Sequence, residues 1–321
     1  MHIVPEDRIA AGGLVERRPF AESLARRIDI ERESERTGKT FRRHPDRMVA
    51  ERFLIKPLLK AVLGATGLYA RGVENSLKPI VCKLRLEYAH LPAAFDGYRI
   101  LHLSDLHIDC LDRLPGAVAE TLASLRADLC LMTGDYRFGI EGPCKKAREG
   151  MEEVVAGIAA PDGIFAILGN HDPTEMAYAL DEMGVNMLIN DAFELRKGSD
   201  SLWLAGIDDP YDYRCDNLRT ALDRTPLEAF KILLAHAPDL YGEAAEAGVD
   251  LYLSGHTHAG QVRLPWIGSV VQNSAAPRAY THGYWRHGGM QGYTSAGVGC
   301  SMLPIRFNCP PEIVVIELRT S

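Results

Sequence analysis

No two cysteines in this chain are spaced C-x-x-C, and the seven present (Cys82, Cys110, Cys130, Cys144, Cys215, Cys300 and Cys309) are odd in number and scattered. A thiolate zinc site is therefore a poor fit, and reduced thiols in a cytoplasmic protein are expected. Long apolar runs are also missing. The greasiest stretch, Phe53 to Tyr69, is broken by Lys56, Pro57, Lys60 and Gly64, too interrupted to span a bilayer. Met1 to Pro5 lead into acids and paired arginines rather than an apolar core, so no secretory signal is expected. Basic excess is absent too: the net charge is −7, which argues against a general nucleic-acid binder. The chain has no internal repeat and no low-complexity tract.

What remains is a soluble composition, 46% apolar and 25% charged over 321 residues, enough for one large α/β domain and an appendage. Residues 1 to about 50 alternate acids and bases with few apolar anchors, which reads as a solvated or partly disordered extension. From Arg47 to Gly72, apolar residues recur at helical spacing among Lys56, Lys60 and Arg71. Such a basic amphipathic helix can lie on an anionic membrane or pack on its own domain. From Val81 the period becomes two, as in an edge strand, and a strand–loop–helix rhythm follows. An N-terminal extension over 1–80 and a catalytic domain over 81–321 are expected. Leu129-Cys130-Leu131-Met132 and Ile232-Leu233-Leu234 are apolar throughout, so these strands should be buried on both faces and carry function at their ends.

Five polar segments each follow an apolar run: Asp105-Leu106-His107, Gly134-Asp135, Gly169-Asn170-His171-Asp172, Ala235-His236-Ala237 and Gly255-His256-Thr257-His258. Any one of them is commonplace, a capping Asp or a loop His. Together they supply carboxylate, imidazole and amide donors in the proportion that suits two divalent transition ions and phosphate-ester hydrolysis. Asp135 is the candidate bridge, because a carboxylate has two oxygens.

Taken in order, these segments resemble the calcineurin-like metallophosphoesterase superfamily over about Leu91 to Leu318. The resemblance implies a four-layer αββα sandwich of two mixed β-sheets flanked by helices. It implies that Asp105, His107 and His258 hold one ion, that Asn170, His236 and His256 hold the other, that Asp135 bridges, and that His171 is the catalytic histidine. Manganese is the first expectation, with iron, zinc or cobalt fitting the same donors. One departure stands out: where the protein-phosphatase branch carries a second Asp, this chain has Phe138, which leaves Asp172 as the expected orienter of His171. Runs around Phe95-Asp96-Gly97-Tyr98, Gly260-Gln261-Val262-Arg263 and Pro304-Ile305-Arg306-Phe307 are similar to a membrane-associated bacterial phosphodiesterase branch, whose relatives hydrolyse UDP-2,3-diacylglucosamine in lipid A synthesis.

The expected chemistry is in-line attack on phosphorus by hydroxide generated between the ions, with His171 as general acid and Arg137, Arg263 and Arg306 as phosphate clamps. The expected substrate is lipid- or nucleotide-linked and met at the cytoplasmic face of a membrane through residues 47–72. A soluble phosphodiesterase for cyclic nucleotides or other small diesters is the alternative. A non-catalytic scaffold has no physical need for so many converging ligands, and nucleic acid is not an expected partner. Oligomeric state is not legible.

Overall fold

A computed structural model describes residues 20–42, 54–269 and 273–321. Arg47, Met48 and Phe53 of the expected amphipathic segment lie outside the described residues.

Two six-stranded sheets form the middle of the molecule. With strands numbered along the chain, the first sheet runs in the order β1 (Ile80–Tyr88), β14 (Glu312–Thr320), β2 (Arg99–Leu103), β3 (Leu129–Met132), β4 (Ile164–Ala166) and β5 (Asn186–Met187). Its β14–β2 pairing is antiparallel and the others are parallel. The second runs β12 (Gly283–His287), β13 (Met290–Thr294), β9 (Leu251–Ser254), β8 (Lys231–Leu234), β7 (Asp200–Gly206) and β6 (Asp191–Lys197), antiparallel only at its two margins. A short ribbon of β10 (Arg263–Leu264) and β11 (Gly268–Ser269) stands apart.

Alternation along the strands assigns the layers. Ile100, Leu129, Leu131, Ile232, Leu234 and Leu253 meet between the sheets. Their neighbours Leu101, Cys130 and Met132 face outward, onto Val118 and Leu122 of helix Leu114–Ala123 and Met151 and Val154 of helix Lys145–Ala156. Leu233, Ala205 and Tyr252 do the same on the other flank, against Ala221 and Ala244. Helix, sheet, sheet, helix is thus the layer order. Strand β3, Leu129-Cys130-Leu131-Met132, is buried on both faces and carries no polar side chain that would need water.

The N-terminal extension corrects one expectation. Residues 25–37 are helical, and Phe20, Leu24 and Ile28, one turn apart, pack into the first sheet's outer core. Charge alternation hid this stripe, which is only three residues long. Arg27, on a neighbouring face, is fully buried. Helix Lys56–Ala65 behaves differently, since none of its residues is buried. Among the described residues, no helix is long and apolar enough to cross a membrane.

Candidate metal centre

Every expected ligand leaves a parallel strand at the same edge of the sandwich. Asp105 and His107 follow β2, Asp135 follows β3, Asn170 and His171 follow β4, His236 follows β8, and His256 and His258 follow β9. The turns are tight enough to force Asp105, His107, Asp135, His256 and His258 to positive φ, a conformation that non-glycine residues hold only where the surroundings over-determine it. Glycine makes the crowding possible. A Cβ at Gly169 would strike the Asp135 carboxylate, and one at Gly255 would strike Ser104 and Asp105.

The side chains converge in two adjoining groups. In the first, His258 Nε2 lies 3.3 Å from Asp105 Oδ1 and 3.2 Å from His107 Nε2. In the second, Asn170 Oδ1 lies 3.1 Å from His236 Nε2 and 3.0 Å from His256 Nδ1. Asp135 stands between them: its Oδ2 is 3.6 Å from His107 Nε2 and 3.3 Å from His236 Nε2. Backbone carbonyls fix two ring tautomers. His107 Nδ1–H donates to Arg137 O and His236 Nδ1–H to Thr133 O, each at 2.7 Å, so both Nε2 atoms face inward.

Electrostatics favours a cation here. Burial opposes charge on Asp135 and His236, yet their mutual attraction outweighs it, helped at Asp135 by His171 and His107 and at His236 by Asp105 and Asp209. Asp135 is held well below the carboxylate range and His236 is lifted to about 10. The donors are carboxylate, imidazole and amide, all buried, and the proton on His236 is what an entering divalent ion would displace. The residues present therefore fit two divalent ions.

His171 lies at the rim, its ring 4.7 Å from that of His107. Its Nδ1–H donates to Phe138 O at 2.9 Å, leaving Nε2 toward Asp135 Oδ2 at 4.0 Å. The expectation that Asp172 orients His171 is corrected. The Asp172 carboxylate instead accepts from the backbone N–H groups of Asp135, Tyr136 and Gly169 at 2.7–2.9 Å, tying the two ligand turns together. The carbonyl of Phe138 does the orienting, so the missing second Asp is replaced by backbone. Burial pushes the His171 imidazole down to about 3.

Two of the three expected phosphate clamps are also corrected. Arg137 directs its donors to the Gly142 and Ile140 carbonyls, both at 2.6 Å. Arg306 is fully buried and donates to Ala296 O, Gly297 O and Gly299 O. Both arginines hold loops, because their guanidinium groups sit where unpaired carbonyls turn inward. Arg263 is placed differently. It lines a cleft of about 330 Å³ with Thr257, Ile267, Arg278 and His282, next to the His256–His258 turn, and its closest described acceptor is Ala259 O at 3.5 Å.

Several participants escaped the sequence reading. The Tyr211 ring lies 4.3 Å from that of His256, tilted by 51°, and Asn273 Nδ2 lies 3.3 Å from His256 Nε2. Asp208, Asp209 and Asp212 are buried, and Asp212 Oδ2 accepts from Asn170 Nδ2 at 3.2 Å. Their signal was present: Asp208-Asp209 follows the apolar strand β7, the same strand-then-polar grammar as the five segments noted above.

A two-sheet sandwich with a buried carboxylate–imidazole cluster at its strand ends defines a metal-dependent phosphoester hydrolase. The chain belongs to the calcineurin-like phosphoesterase family, whose profile matches residues 98–260. It is 30% identical over 240 residues to the uncharacterized metallophosphoesterase YkuE of Bacillus subtilis, covering 72% of this chain and 82% of that one. It is 29% identical to the phosphodiesterase YaeI of Escherichia coli, over 69% of this chain and 82% of the relative. It is 26% identical to the UDP-2,3-diacylglucosamine pyrophosphatase LpxG of Chlamydia trachomatis, over 60% of this chain and 74% of the relative.

Proposed function

We propose that this chain cleaves a phosphodiester or pyrophosphate bond in a lipid- or nucleotide-linked substrate such as UDP-2,3-diacylglucosamine, met at a membrane surface. One observation carries the hydrolytic reading: two buried donor groups share the single carboxylate Asp135. In this reading Asp105, His107 and His258 hold one cation, Asn170, His236 and His256 hold the other, and Asp135 bridges. Bound there, two divalent ions supply an acidified water as nucleophile and neutralise charge on phosphate oxygens.

The protein's own groups do the rest. Arg263 is the donor available to the phosphate, and its fork suits two oxygens at once. His171 is neutral until a phosphate anion approaches. The added negative charge then favours its protonated form, and Nε2–H can donate to the leaving oxygen. Phe138 O keeps the ring aimed throughout.

Two features support a lipid-linked substrate. Leu54, Leu58 and Val62 are exposed along a helix that also carries Lys56 and Lys60, and Lys56 Nζ reaches over the Phe138 ring at the site rim. Trp266 is fully exposed at the tip of the β10–β11 ribbon beside exposed Ile267, which lines the cleft. Apolar side chains with flanking cations suit an anionic lipid surface. The test is hydrolysis of UDP-2,3-diacylglucosamine with added manganese, read by phosphorus NMR. Release of UMP and an acylated sugar phosphate is expected. Cleavage of an aryl phosphodiester without any turnover of the lipid would move the substrate to small soluble diesters.

A further inference from the structure

Asn170 must present oxygen, not nitrogen, to its two histidines, and its own side chain does not decide which. A primary amide is nearly symmetric in shape, so its orientation is set by what its NH₂ group donates to. Here Asn170 Nδ2 donates to Asp212 Oδ2 at 3.2 Å, and that places Oδ1 between His236 and His256.

Asp212 is in turn held by a residue far away in sequence. Arg42 Nη1 donates to Asp212 Oδ2 at 3.0 Å and also to the backbone carbonyl of Asn170. Arg27 grips the same turn from beneath. Its Nη1 donates to Asp172 O at 2.5 Å and its Nη2 to Gly169 O at 3.3 Å, so the carbonyls on both sides of Asn170 and His171 end on one guanidinium. Nε and Nη2 of Arg27 meanwhile hold Asp208 Oδ1 at 3.0 and 2.5 Å, and the group stacks 3.7 Å from the Tyr213 ring. Glu31 completes the brace, accepting from Thr174 N at 2.9 Å and from Tyr213 O–H at 2.8 Å. Three charged residues of one N-terminal segment thus bind the two loops that surround Asn170, and none of them touches the Asp105–His107–His258 group.

We propose that Arg27 and Arg42 are positioning residues of the centre: the segment Phe20–Arg42 fixes the amide of Asn170 and the backbone of His171, and so completes one of the two cation pockets. This rests on the reading of those pockets as cation sites. Arg suits the task because its fork reaches separated acceptors at fixed spacing: Arg42 adds Ile140 O through Nη2 to the two partners of Nη1, and Arg27 holds Asp208, Gly169 O and Asp172 O at once, whereas a lysine donates from one point.

Full-length wild-type, Arg42→Met and Arg42→Lys proteins, stripped of metal, are titrated with Mn(II) and followed by EPR, with thermal melting of the metal-free chains alongside. The wild type binds two ions. Arg42→Met keeps one at wild-type affinity and binds the second about 10–100-fold more weakly, the range for residues that orient metal ligands. Arg42→Lys recovers only part of that loss, and kcat falls with little change in KM. Arg27→Ala, which leaves a guanidinium-sized space, regains its second ion when free guanidinium is added and not when sodium is added at equal ionic strength. Wild-type affinity at both pockets in both variants overturns the proposal, as does equal weakening of the two pockets. Failure of the functional reading appears separately, as a wild-type chain that binds both ions and hydrolyses no phosphoester.

Discussion

The two halves of the metal centre are built from different material. Asp105, His107 and His258 sit on turns of the sandwich itself. Behind them Arg306 ties Ala296, Gly297 and Gly299, and Gly299 N–H donates to Asp105 O at 2.7 Å. Asn170, His236 and His256 share a pocket whose Asn170 side is held by Arg42 from outside the sheets. One pocket is backed by the sandwich's own turns and by Arg306, whose backbone N–H donates to Gly72 O at 3.1 Å on helix Leu68–Ser76. The other also needs a segment that joins from the far end of the chain. Precise ligand geometry needs rigid support, and the support here is layered unequally.

Asp135 belongs to both halves, so its loss should have the largest effect. Asp135→Asn should lower turnover by about 10³-fold or more, the upper end for loss of one preorganised charge-stabilising group, and leave fewer than two Mn(II) ions bound. Wild-type stoichiometry in that variant would separate Asp135 from the bridge role. His171 belongs to neither pocket. His171→Ala should reduce kcat by about 10²-fold, the lower range for a lost proton donor, while both ions stay bound.

The next variant probes the sheet-built half as Arg42 probes the other. Arg306→Lys should weaken Mn(II) at the Asp105 pocket by roughly tenfold and spare the Asn170 pocket. Loss confined to the Asn170 pocket would dissolve the distinction between the halves.

The last effect is on folding and not on the metal pockets, and it concerns the floor beneath both. His102 on β2 is buried, with Nε2 on Thr133 Oγ1 at 3.0 Å and Nδ1 lacking a partner. Burial pushes its pKa from 6.5 to about 3. The folded chain holds it neutral while the unfolded chain binds a proton below 6.5. Stability is therefore intact above 6.5 and falls as pH drops toward 3, by up to about 5 kcal/mol at 1.36 kcal/mol per unit. His102→Gln should flatten this acid limb in urea melts run from pH 7 to 4, and an unchanged limb would assign acid sensitivity elsewhere.

The difference between the halves also explains what could be read from sequence. Candidate ligands such as His258 and Asp135 stand out in the sequence because apolar strands announce their own ends, and a polar residue there has few other reasons to be buried. The sandwich followed from strands like Leu129–Met132, which carry no alternation. Strand β12 is hard to read from sequence, because Gly288-Gly289 makes its hairpin turn and Arg286 and His287 dilute its pattern. The orienter of His171 was misassigned because a backbone carbonyl leaves no mark on a sequence. Arg27 and Arg42 were unreadable for a similar reason: their partners, Asp208 and Asp212, lie more than a hundred residues away, and a charged helix with three apolar anchors looks solvated until its target is known.

The most direct measurement is anomalous diffraction from crystals of the full chain loaded with manganese. Two peaks about 3.5–4 Å apart are expected, one on each side of Asp135, with Asn170 Oδ1 against the peak shared with His236 and His256. A single peak, or a pair lying away from Asp135, would contradict this arrangement.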